Sequence, residues 1–140
     1  MIDKKLKLKK ILVVAGGWSD EREVSLMSGK NIFSCLKKDN FNVKFLDLNT
    51  KNLDQILVLK PDIIFNSLHG TFGEDGGLNS FAHKNNIIIT HSEGISSALC
   101  FNKRLLKNYL KKKLKLLVPE EQMLEFMLQV SVQIFLLIKR

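Results

Sequence analysis

The run Leu68–Gly77, LHGTFGEDGG, gathers a histidine, two adjacent carboxylates and four glycines directly behind the apolar segment Ile63-Ile64-Phe65. Glycine permits positive φ and lets another group come close, so this density after a buried strand predicts a loop shaped around a ligand. A plain turn rich in breakers is the alternative that the glycines alone leave open. His69 carries imidazole, the side chain that changes charge near neutral pH, and could donate a hydrogen bond to a carboxylate or an acyl phosphate. A lone histidine more often has a structural role. Glu74 and Asp75 stand ahead of Gly76-Gly77 and are expected to cap the helix that follows. Paired carboxylates acting on a glycoside or a metal would need a second acidic cluster, and none supports them; no metal ligands are assigned.

A second stretch, Ala15–Ser28, reads AGGWSDEREVSLMS and also follows an apolar run, Ile11-Leu12-Val13-Val14. Glu21 sits on the loop at the start of a helix, where the helix amino end favours a carboxylate that could hold an ammonium group. The plainer reading is an acid of the first turn with no further role. Asp20 with Glu23 three residues on has the spacing of a capping box, which predicts a helix from about Asp20 to Lys38. Its inner face would carry Ser25, Gly29, Ile32 and Leu36.

These loops need a scaffold that brings them together, and the rest of the chain predicts one. Strands are expected at Ile11–Ala15, Val43–Asp47, Asp62–Ser67 and Ile87–Ile89. Helices are expected at Asn52–Leu59, Leu78–Asn85, Ser96–Cys100 and Asn102–Lys113, with Lys60-Pro61 closing the first of these. Met1–Lys9, with its alternating lysine and leucine, is either a lead-in to the first strand or a frayed tail. The alternation argues for an α/β fold: a doubly wound, mainly parallel sheet flanked by helices, whose glycine-bearing turns line up at the carboxyl edge where ligands bind.

The two stretches together closely resemble the amino-terminal domain of D-alanine–D-alanine ligases, whose pattern is a GG-x-S-x-EREVS loop followed by an HG-x-x-GEDG loop. The resemblance covers roughly Lys10 to Leu124 and implies a Rossmann-like, pre-ATP-grasp domain. It implies ATP-dependent joining of two D-alanines for peptidoglycan, with the first carboxylate activated as an acyl phosphate. Glu21 would then anchor the amino group of the first D-alanine, and His69 with Gly70 would lie beside that substrate and the transferring phosphoryl group. Val24 would border the methyl pocket, and Ser25 would support the loop within the substrate-binding set. Lys103, in FNKRL, matches a family lysine associated with nucleotide phosphates, although Asn102 replaces the family's aspartate. A lysine opening a helix is electrostatically misplaced unless an anion compensates. One charge among many on a basic helix is the plainer reading. His91 and Glu93 stand where the family commonly has glycine. ATP and Mg2+ are the implied cofactors, with most of their ligands in an ATP-grasp region outside this chain, and intact ligases of the family commonly form homodimers.

Composition is compatible with this and narrows the rivals. The 140 residues are 45% hydrophobic and 26% charged, as in one globular domain, with a net charge of +8. The lysines concentrate at Lys4–Lys10 and Lys103–Lys115 with little aromatic interleaving, so solvated faces explain the charge and no nucleic-acid partner is expected. Cys35 and Cys100 lack CxxC spacing and read as small buried hydrophobes. The amino end is charged and Ile11–Ala15 is too short for a signal peptide, and Val130–Ile138 is too short for a membrane span. A cytoplasmic location without membrane attachment follows. Residues 1–9 are thus expected to form a basic lead-in, 10–119 the ligase-like α/β domain, and 120–140 the start of a linker and a divergent apolar tail. The isolated chain is expected to lack ligase turnover. A non-catalytic module binding a small ligand or docking on a partner, or a truncated or frameshifted product, are the alternatives.

Overall fold

Four strands form one all-parallel sheet in the order β2-β1-β3-β4. They are β1 (Ile11–Gly16), β2 (Val43–Leu48), β3 (Ile63–Asn66) and β4 (Ile88–Ile89). This is a computed structural model, and it describes residues 4–114. The helices are α1 (Lys4–Lys7), α2 (Arg22–Lys38), α3 (Gln55–Leu59), α4 (Gly77–Lys84), α5 (Gly94–Phe101) and α6 (Lys103–Leu114). The compact α/β unit runs to Lys103, and a second unit begins at Arg104 within α6. The expected linker start and apolar tail, 120–140, lie outside the described residues. Among the described residues no helix is long and apolar enough to cross a membrane.

β1 is buried along its whole length, because it pairs on both sides and is covered on both faces. Alternate residues feed two cores. Leu12 and Val14 join Leu46, Leu48, Ile56, Ile64, Leu68, Leu78 and Ala82 on the side of α3 and α4. Ile11, Val13 and Val43 pack with Ile32, Phe33 and Leu36 of α2 on the other. Gly29 brings α2 close to the sheet: a Cβ there would stand 2.5 Å from the Ala15 Cβ and 3.2 Å from the Phe45 ring.

Register fixes which loops become neighbours. Val14 is paired with Asn66, so the chain leaves β1 at Gly16-Gly17 and β3 at Ser67-Leu68 on the same level of the same edge.

Three local expectations are corrected. The capping box does not form: α2 begins at Arg22 with Glu21 at its N-cap and no side-chain cap bond. The Arg22 N–H is bonded to the Ser19 carbonyl, which winds Asp20 into the preceding turn and out of capping position. Cys35 and Cys100 are both exposed, since each falls on the solvent side of its helix. Asp75 does accept the Gly77 N–H at 2.9 Å at the start of α4, but Glu74 makes no cap and turns to His69 instead. Ahead of β1, Lys4–Lys7 forms one short helical turn.

Candidate functional site

The turn after β1 is held in shape by groups that sequence reading did not single out. Gly16 and Gly17 have φ of +88° and +82°. The Arg22 guanidinium donates to the carbonyls of Gly17 at 3.0 Å and Leu48 at 3.2 Å, and to Asp47 Oδ2 at 2.8 Å. The arginine thereby ties the turn to the end of β2, a partner 25 residues away. Planar multi-donor geometry suits this task in a way lysine could not match.

Two hydroxyls and one ring pair then join this turn to the loop after β3. Ser25 is fully buried. Its Oγ accepts the Gly16 N–H and donates to the Ser67 carbonyl, both at 2.8 Å. Both bonds engage the buried hydroxyl within the protein, between the end of β1 and the end of β3. Ser19 Oγ donates to the His69 carbonyl at 2.7 Å and accepts the Glu21 N–H at 3.3 Å. The rings of Trp18 and Phe72 lie 4.7 Å apart.

The loop after β3 is braced from below by Asn66, which is buried. Its side chain accepts the Leu68 N–H and donates to the Gly73 carbonyl, each at 3.0 Å, and so clips the two ends of the loop together. Gly70, at φ +69°, lies against the first turn, where a Cβ would be 3.1 Å from Ser19 Cβ and 3.9 Å from Glu21 Oε1. The carboxylate of Glu21 and the His69-Gly70 segment therefore share one rim. Glu21 is exposed and His69 half-buried. Val24 is exposed on α2, and Lys103 is exposed at the first position of α6, with no acid in that helix's first turn.

His69 Nδ1 is 3.4 Å from Glu74 Oε1, an ion pair whenever the imidazole is protonated. A second imidazole belongs to the same electrostatic group. His91 keeps open surface, yet partial burial of its ring lowers its pKa below the ordinary 6.5; Glu74 opposes this and His69 reinforces it. The folded chain thus prefers neutral His91. Its folded pKa lies below the unfolded one, so stability is full above about pH 6.5 and falls as acidification protonates the unfolded chain first. The urea midpoint is expected to drop between pH 7.5 and 5.5 by more in the wild type than in His91→Asn. Equal drops would remove His91 from the acid response.

A groove of about 850 Å3 lies away from this rim. It lies beside the edge strand β4 and is lined by Ile87, Ile88 and Ile89 with Asn79, His91 and Ile95 among others. Edge position and apolar lining explain it without any chemistry.

No family model matches the chain. Similarity to individual proteins is high. The D-alanine–D-alanine ligase of Parvibaculum lavamentivorans is 43% identical over 99 residues, 71% of this chain and 32% of that protein. The Rickettsia rickettsii enzyme of the same name is 45% identical over 95 residues, covering 68% of this chain and 30% of that protein. The fold agrees: the Bacillus anthracis ligase superposes with a TM-score of 0.66 at 30% identity, over 75% of this chain and 35% of that one. The chain belongs to the D-alanine–D-alanine ligase family. It spans about a third of the length of the curated relatives it matches. The Bacillus anthracis ligase has also been solved with ATP, and that structure matches with a TM-score of 0.65 at 29% identity, over 75% of this chain and 36% of that one. Within the family's shared domain, the ties through Ser19, Arg22 and Asn66 had no separate signal in the sequence, because each joins groups that only the sheet makes adjacent.

Proposed function

We propose that the rim between Glu21 and His69 binds D-alanine, as the first-substrate site of an ATP-dependent D-alanine–D-alanine ligase. The observation that carries this reading is the closeness of the Glu21 carboxylate to Gly70, with one serine bridging the Glu21 amide and the His69 carbonyl. A zwitterionic amino acid needs an anion for its ammonium group and a donor for its carboxylate. Glu21 supplies the first at the amino end of α2, and the His69 ring, 3.4 Å from Glu74, supplies the second. Val24, exposed on the first turn of α2, would border the methyl group.

ATP supplies the phosphoryl group that activates the substrate carboxylate. Here Lys103 fits a phosphate: it opens a twelve-residue helix whose own first turn has no acid, so an anion at that end would suit both the helix dipole and the lysine. Among the described residues no three His, Cys, Asp or Glu side chains gather in a way that could hold a metal ion. The chain's own contribution is thus to bind and orient the first substrate, which is where positioning catalysis begins. Turnover by this chain alone is not expected.

Titrating the purified chain with D-alanine, followed by NMR, tests the reading. Weak saturable binding is expected, with shifts centred on Glu21, His69 and Gly70 and a much smaller response to L-alanine. No response, or an equal response to both enantiomers, would overturn it, and D-alanine-dependent ADP release would overturn the expectation of inactivity.

A further inference from the structure

We propose that Ser19 is the positioning residue of this site, its one hydroxyl setting the spacing between the Glu21 loop and the His69 loop without touching the ligand. This rests on the D-alanine reading above. A serine hydroxyl has one proton and two lone pairs, so it can donate to one loop and accept from another at once. Ser19 does both: the His69 carbonyl takes its proton at 2.7 Å, and the Glu21 N–H points at its oxygen at 3.3 Å. The residues it joins belong to different strands' loops, and Ser19 itself is 50 positions from His69 in the chain.

The other ties across the same gap do different work. Ser25 joins Gly16 to Ser67, at the strand ends, where both partners are buried and the bond belongs to the core. The Trp18–Phe72 contact is apolar and carries no direction. Ser19 alone among these three reaches the backbone of both residues assigned to the ligand. It is half-buried, so water can replace its bonds if the hydroxyl is removed. Deleting it should therefore cost little folding stability while releasing the two loops from a fixed separation. Gly70 confirms how tight that separation is, since any side chain there would press on the serine within 3.1 Å.

The test compares wild type, Ser19→Ala and Ser19→Thr in D-alanine titrations, with melting temperature and hydrogen exchange at the Glu21 amide measured alongside. Expected for Ser19→Ala are affinity lower by about five- to ten-fold, the scale of one lost hydrogen bond, faster exchange at the Glu21 amide, and nearly unchanged melting. Ser19→Thr keeps the hydroxyl and should stay near wild type. Alanine binding as tightly as wild type, threonine as weakly as alanine, or an alanine variant that fails to fold would each overturn the proposal, the last by making Ser19 structural. If wild type itself ignores D-alanine, the ligand reading has failed. Exchange at the Glu21 amide then decides about Ser19, and an unchanged rate in Ser19→Ala overturns the tie.

Discussion

Replacing Glu21 by glutamine is expected to weaken D-alanine binding by about ten- to hundred-fold, the range for losing a hydrogen bond to a charged group. Glutamine keeps the shape and an acceptor oxygen, so the change isolates the charge. The fold should tolerate it: Glu21 is exposed and caps α2 without a side-chain bond, so no buried partner is stranded. His69→Asn should also weaken binding, and the two losses should fall short of additive if both groups grip the same small ligand. Calorimetric titration of the three variants checks this. Wild-type affinity in Glu21→Gln would return Glu21 to the role of an ordinary first-turn acid.

Gly76→Ala is expected to be the more damaging change to the fold, destabilising it by about 2–4 kcal/mol from the combined cost of a left-handed residue and of overpacking. Gly76 holds φ +86° at the N-cap of α4, and a Cβ there would run into the backbone of Gly94, where α5 begins. Backbone cannot swing aside as a side chain can. Gly17→Ala is the control. Its φ is +82°, but its nearest new neighbour would be the flexible tip of Leu68 at 3.2 Å, so it should lose mainly the conformational part. Urea unfolding of both variants gives the comparison, and equal losses would show that the Gly94 contact has no energetic weight.

Much of the scaffold was legible because its cause is local. The unbroken apolar run Ile11–Val14 can only be a strand covered on both faces, and it is the buried centre of the sheet. Lys60 before Pro61 marks the end of α3, and there the chain turns left-handed. The spacing of Ser25, Gly29, Ile32 and Leu36 marks the face of α2 that meets the sheet, with Ser25 and Gly29 buried and the other two packed at the second core. Exposure of the cysteines was not legible. An apolar context within the helix does not say which side of the helix finds the sheet.

By itself, then, the amino-acid sequence determined the parallel α/β scaffold and the two loops on which Glu21 and His69 sit, since periodicity and glycine placement act over a few residues. The tertiary structure decided the partners. It took Asp20 out of its capping box, turned Glu74 from a cap to the side of His69, brought His91 into the same electrostatic group, and set Ser19 between two loops. Such choices depend on groups brought together by strand register, as Val14 beside Asn66 brings one turn against the other. A hydrogen bond reaches about 3 Å in space and has no fixed reach along the chain.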